Sequence, residues 1–364
     1  MPVPTPRPHA RDRIDVLTEL EPCVARHLDR HLATAREWFP HMYVPWSGAR
    51  DFDGPLGGSA WSPDDCPLPG AVRDALVVNL LTEDNLPSYH YDARSRIPRE
   101  GAWATWLHRW TAEEARHGEA LRAYLHARRA VDPVRLERDR MRHMSAGHHS
   151  GQATLPHALA YVTVQEMATR QAHRNTGSAC GDPLGERLMR RIAADENLHM
   201  LFYRDLCADG LDLAPDLFAA AFADVICDFT MPGHAIPGFR TRAARIAVSG
   251  IYDLATHHDE VLRPLLLALR LMDRPGLGPR GEEALDRIGR HLERLRAQAE
   301  RFRQRGEASR VAPLGQATGS ERTERSLKKP PVGPKGAGGG QTSGAATPSS
   351  PSCGTCPAPS PDPR

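Results

Sequence analysis

Six residues repeat one arrangement twice: Glu83 precedes Glu114-x-x-His117 by 31 residues, and Glu166 precedes Glu196-x-x-His199 by 30. In an α-helix, residues three apart share a face, so each Glu-x-x-His points a carboxylate and an imidazole at one spot. A glutamate some 30 residues upstream is one helix and a turn away, which lays Glu83 beside the first pair and Glu166 beside the second in two antiparallel hairpins. Facing hairpins gather four carboxylates and two imidazoles in one interior. That much charge is too costly to bury alone, so the arrangement calls for cations. Carboxylate oxygens with one nitrogen per ion suit redox-active iron better than the thiolate-rich sites of structural zinc, with manganese a lesser alternative. The set is that of a di-iron carboxylate centre inside a four-helix bundle.

Helices must position these groups, and the apolar spacing supplies them. A stripe from residue 12 to 39 (Ile14, Leu17, Val24, Leu28, Leu32, Ala35, Phe39) predicts a long amphipathic helix. The aromatic stretch 38–58 that follows reads as a loop packed on the body. Val72, Leu76 and Leu80 lead a helix over 70–93 to Glu83, and Pro87, which cannot donate to the Glu83 carbonyl, should loosen it beneath that ligand. Further helices are expected over 100–129, from 133 to about 146, over 155–176 and over 184–208, with shorter ones at 214–229, 239–272 (broken near Gly250) and 282–304. Trp103, Trp106 and Trp110 have the spacing of plain core, with an acyl-channel lining as the alternative. His148 and His149, in a loop without a carboxylate at helical spacing, read as exposed rather than as ligands. Strand signals are absent. The expectation is an all-α domain over 1–305 and a disordered Gly/Pro/Ser-rich tail over 306–364, too polar to offset its ordering entropy.

Composition excludes several classes. With 47 basic and 45 acidic residues the formal charge is +2, which implies no general affinity for nucleic acid. The only lysines are Lys328, Lys329 and Lys335, so the body's positive charge is arginine, suited to gripping an acidic partner. Seven cysteines without framework spacing point to a reducing compartment, and Cys353-Gly-Thr-Cys356 has clip spacing but no second pair to complete a zinc site. Neither a secretory apolar core at the N-terminus nor a membrane-length apolar run is seen, so a cytoplasmic location is expected.

The stretches LLTEDNLPSYH (80–90), WTAEEARHG (110–118), VTVQEMATRQAHRNT (162–176) and IAADENLH (192–199) resemble the soluble acyl-carrier-protein desaturases, a family with plant plastid and actinobacterial members. The similarity runs from about residue 12 to 300. The resemblance implies a ferritin-like four-helix bundle with additional helices, a homodimer, and two irons held by Glu83, Glu114, His117, Glu166, Glu196 and His199, with Glu114 and Glu196 bridging. It also implies an electron relay from Trp46 through Asp195 to His117, and an oxygen-side threonine at Thr169, whose plainer reading is a helix hydroxyl bonded to a backbone carbonyl. The implied reaction uses O2 and two electrons from a ferredoxin to place a cis double bond in an acyl chain carried on an acyl carrier protein. Arg170 and Arg174 depart from the plant pattern, as does the long tail. Two other functions fit the same residues: a di-iron oxygenase or ferroxidase, and a metal-free helical interaction protein.

Overall fold

The computed structural model describes residues 15–148 and 151–311. Helix α1 (Val16–Thr34) is followed by 3-10 turns at Pro40–Tyr43, Trp46–Gly48 and Pro63–Asp65. Then come α2 (Gly70–Asp84), α3 (Leu86–Arg94), α4 (Gly101–Ala127), α5 (Pro133–Ala146), α6 (Leu155–Ala179) and α7 (Pro183–Leu213). The remainder is α8 (Pro215–Asp228), a 3-10 turn at Pro232–Ala235, α9 (Phe239–Val248), α10 (Leu254–Thr256), a π-helical stretch His257–Leu262, α11 (Arg263–Ala268) and α12 (Pro279–Val311). Among the described residues no strand forms; Phe52 and Ser59 make an isolated bridge. The protein is all-α, as the sequence predicts. α12 continues past the expected domain boundary at 305, and the Cys353/Cys356 pair, His149 and the tail from 312 lie outside the described residues.

Local chemistry explains the boundaries. Pro133, Pro183 and Pro215 open α5, α7 and α8, where the missing N–H has no helical partner to lose. Asp132 and Asp182 cap α5 and α7 by accepting from Val134 N (2.9 Å) and Leu184 N (3.3 Å). The proline effect expected under Glu83 is a full break: α2 stops at Asp84, Asn85 N turns back to Thr82 O at 3.2 Å, and α3 restarts with Pro87 in its first turn.

Helices α2, α4, α7 and α6 pack in a closed ring, α4 against α2 and α7, α6 against α7 and α2. Two apolar clusters fill the ring from opposite ends. Leu76, Leu80, Leu121, Leu125, Leu188 and Ile192 form one, and Trp103, Trp106, Val164, Phe202 and Leu206 belong to the other. Two of the long helices change cluster partway: α4 passes from Trp110 to Ala120 and α7 from Ile192 to Met200. The acids and histidines of the repeat lie in the gap, as one buried polar layer between two greasy ones. Isolated burial of an ionised carboxylate costs several kcal/mol, and a domain's entire stability is only about 5–15 kcal/mol, so this layer must be neutralised by protons or cations.

Candidate metal centre

All six expected ligands are buried and meet in that layer. Their donor atoms form two overlapping quartets, Glu83–Glu114–His117–Glu196 and Glu114–Glu166–Glu196–His199, each with its atoms within 4.8 Å of one another. Glu114 and Glu196 belong to both. His117 Nδ1 lies 3.2 Å from Glu114 Oε2 and 3.2 Å from Glu196 Oε1, while His199 Nδ1 lies 2.8 Å from Glu114 Oε1 and 3.7 Å from Glu166 Oε2. Glu114 Oε1, Glu166 Oε2, Glu196 Oε1 and His199 Nδ1 are buried and make no well-directed hydrogen bond, only these close approaches. Lone pairs aimed at one another in a dry interior fit a pair of cations.

The electrostatics agree. Burial, aided by the Glu114 charge, pushes the Glu83 carboxyl up to about 8, and burial with Glu196 raises Glu166 well above the usual carboxylate range. Burial opposes charge on His117 and His199 too, but Glu114 and the other facing acids outweigh it and raise both imidazoles. Without metal, the layer holds protons that metals would displace.

A second ring of contacts orients these side chains. The acid before each Glu-x-x-His glutamate reaches the opposite histidine: Asp195 Oδ2 lies 3.4 Å from His117 Nε2, and Glu113 Oε2 lies 3.0 Å from His199 Nε2. Each Nε2 is thereby engaged and each Nδ1 left for the centre. Burial would raise the Glu113 carboxyl, yet hydrogen bonds from His199 and His31 hold it well below its usual range. Trp110 Nε1 donates to Glu166 Oε1 at 3.0 Å. The Thr169 hydroxyl lies 3.0 Å from Glu196 Oε2 and 3.1 Å from the carbonyls of Gln165 and Glu166, so its one proton serves the carboxylate or the backbone.

One expected residue is elsewhere. Trp46 is 57% exposed on its 3-10 turn, whereas Trp38 is 4% exposed and donates from Nε1 to Asp195 Oδ2 at 2.6 Å. Trp38 leaves an extended segment directly after α1, and the Pro40–Tyr43 turn seats that segment on α4 and α7. Eight residues further along, Trp46 has left the helices. The guanidinium of Arg116 covers the Trp38 ring at 5.1 Å.

Three functional candidates escaped the sequence reading. His173 Nε2 sits 3.3 Å from Glu83 Oε1 and 3.6 Å from Glu196 Oε1; it follows Glu166 by two helical turns on the same face, the signal that could have found it. Glu113 had a visible parallel in Asp195, since each precedes a Glu-x-x-His. His31, 2.9 Å from Glu113 Oε2, carried no signal beyond its place on the apolar stripe of α1. Of the three tryptophans, Trp103 and Trp106 are core, Trp106 stacked on Phe202 at 3.5 Å, while Trp110 touches a ligand and borders a cavity. His148 is half-buried rather than exposed, edge-on to Tyr89 at 4.9 Å. A second cavity, mostly apolar, opens between α2, α6 and α9 with Glu83, Thr169 and His173 in its wall.

A ring of helices around a buried layer of carboxylates and imidazoles that could hold metal ions defines a class of all-helical proteins. Within it, this chain belongs to the fatty acid desaturase family, whose model matches residues 12–314, and it is an oxidoreductase of the desaturase kind. It is 42% identical over 297 residues to a Mycobacterium tuberculosis protein named acyl-[acyl-carrier-protein] desaturase DesA1, covering 79% of this chain and 88% of that one. It is 32% identical over 259 residues to the chloroplastic stearoyl-[acyl-carrier-protein] 9-desaturase 6 of Arabidopsis thaliana, covering 65% of each. The X-ray structure of the acyl-ACP desaturase DesA2 from Mycobacterium tuberculosis superposes with a TM-score of 0.61 at 32% identity, over 71% of this chain and 96% of that one. Among the described residues no helix is long and apolar enough to cross a membrane.

Proposed function

We propose that the protein places a cis double bond in a fatty acyl chain carried on an acyl carrier protein, using O2 and two electrons from a ferredoxin. Two irons would be held by Glu83 and His117 on one side and Glu166 and His199 on the other, with Glu114 and Glu196 shared. When bound, they supply the oxidising power that removes one hydrogen from each of two adjacent methylenes. The observation that carries the reading is the pair of overlapping quartets walled on one side by an apolar cavity. A ferroxidase needs a polar entry for aqueous iron, and that cavity is lined mainly by side chains such as Val78, Ile246 and Phe239. Four buried donor atoms that crowd together without a well-directed hydrogen bond argue against a metal-free scaffold.

The chain's own groups divide the work. Apolar walls hold the acyl chain and keep water from the layer. Thr169 offers a proton at the Glu196 carboxylate, on the side where the cavity meets the ligands. Asp195 orients His117 and links it to Trp38, so the relay role the resemblance gave to Trp46 passes to Trp38. Phe39, Met42 and Trp46 are exposed on the segment that follows Trp38, an apolar patch on which an electron carrier would dock. Arg240 and Arg245 are exposed on α9 beside the cavity, where an acidic acyl carrier protein would dock. A homodimer and a cytoplasmic location complete the reading. The test is incubation with acyl carrier thioesters, ferredoxin, its reductase, NADPH and O2, then mass spectrometry of the released acids. An acid two mass units lighter supports it; no unsaturated product from any chain length refutes it.

A further inference from the structure

Arg170 and Arg174, one helical turn apart on α6, line a groove whose other wall carries Arg190 and Asn197 of α7. Arg170 follows Glu166 by one turn and Asn197 follows Glu196 directly, yet no residue of this groove lines either cavity beside the buried layer. Small residues make its floor. At Gly177 a Cβ would come within 2.9 Å of the Met189 Cβ, so α6 and α7 touch there, and Ala193 and Ala194 leave the space above them open.

The charge in the groove is unbalanced. Arg190 is paired with Glu186, one turn before it and the only acid among the lining residues. Arg170 and Arg174 meet no carboxylate among the described residues. Arg170 is half-buried, and its Nη1 lies 3.3 Å from Met167 Sδ, a weak acceptor that serves only one of the guanidinium's donors. Burial, and after it the charge of Arg174, holds that guanidinium below its usual pKa. Like charges at this spacing repel along a helix, and a half-buried cation without a partner is costly; an anion between the two relieves both.

We propose that this groove binds a diphosphate group, held by Arg170 and Arg174 from α6 and by Arg190 and Asn197 from α7. A diphosphate carries oxygens at both ends and so engages both walls at once, and the planar arginine fork matches phosphate oxygens two at a time. Arg174 is exposed and Arg170 recessed, so a small ligand that enters the groove reaches both, whereas the convex surface of a folded acidic partner meets Arg174 first. The site needs neither metal nor acyl chain and stands apart from the desaturase reading. Free diphosphate and a nucleotide share the group, and the probes below separate them.

The test is isothermal titration of the full chain with sodium pyrophosphate, ADP and inorganic phosphate at one fixed, low ionic strength. One pyrophosphate is expected to bind per chain, at least about tenfold tighter than inorganic phosphate. Arg170→Ala and Arg174→Ala should each weaken it at least about tenfold, and Arg190→Ala less than about fivefold, because that guanidinium is already shared with Glu186. Arg301→Ala, which removes an exposed arginine of α12 outside the groove, should leave binding unchanged. Arg170→Lys keeps the charge and loses the fork; it should weaken binding about threefold or more and serves if Arg170→Ala does not fold. ADP that binds tighter than pyrophosphate assigns a nucleotide, ADP that binds equally or more weakly assigns free diphosphate, and both uphold the site. Pyrophosphate that fails to bind, that binds no tighter than inorganic phosphate, or that binds equally to wild type and Arg170→Ala/Arg174→Ala overturns it. A loss in Arg301→Ala as large as in Arg170→Ala does the same, since it marks general charge screening.

Discussion

Around His117 the orienting acid is Asp195, which runs outward through Trp38 to a segment bearing exposed Phe39, Met42 and Trp46. Around His199 it is Glu113, which runs to the buried imidazole of His31 and to Arg109, with the Trp106–Phe202 stack behind. The unshared glutamates differ in the same sense. Glu166 sits mid-helix with Trp110 on one oxygen; Glu83 sits one residue before α2 ends, faces a cavity and has His173 Nε2 at 3.3 Å. Two halves with the same ligand types are thus anchored unequally. The His199 half is tied into the core through His31, and the His117 half is tied through Trp38 to the segment that bears the exposed side chains. Glu83 is the ligand expected to move when iron is reduced.

Truncating a shared ligand should have the largest effect. Glu196→Ala or Glu114→Ala removes a donor from both quartets and is expected to abolish binding of both irons, whereas Glu83→Ala should retain the ion at Glu166 and His199. Iron per chain after desalting distinguishes them, and equal losses from Glu83→Ala and Glu196→Ala would erase the distinction between shared and unshared ligands. The orienting acids come next. Glu113→Gln is expected to weaken iron retention about tenfold or more through His199, while Asp195→Asn keeps both irons and slows reduction by ferredoxin about tenfold, with little change for a small chemical reductant. Stopped-flow reduction alongside iron analysis reads both; identical profiles for the two variants would break the asymmetry.

The smallest effect is the pH dependence of the metal-free protein. Glu83 is held protonated up to about pH 8 by burial, while an unfolded glutamate releases its proton near 4.5, so the folded chain binds more protons between those values. Stability is then greatest at the acid end of that window and falls as pH rises through it. His173, raised to about 9 by Glu196 and Glu83 against the pull of burial, extends the fall above 6.5 in the same direction. Calorimetry from pH 5 to 9 should show a declining Tm that Glu83→Gln flattens in its lower part; an equal slope in that variant would assign it to other groups.

The gathering of the six acids and histidines was legible because its signal is local: two Glu-x-x-His pairs, with glutamates a hairpin away, follow from helical geometry. Pro87 was legible for the same reason, as a backbone donor removed at a known place, though it ends α2 outright rather than merely loosening it. Trp46 was misplaced because the segment after α1 has no period to read. Which tryptophan turns inward depends on how that loop seats on α4 and α7, and Trp38 does. His173 was readable from its two-turn offset, but a lone histidine on a helix face declares no partner until the facing helix is in place. His31 and Glu113 meet only through the packing of α1 on α4, a contact 82 residues apart in sequence.

The central claim is that the buried layer is a two-iron site. Protein purified without metal, titrated anaerobically with Fe(II) and desalted, should retain two irons per chain in wild type and none in Glu196→Ala. Wild type that retains no iron would contradict it.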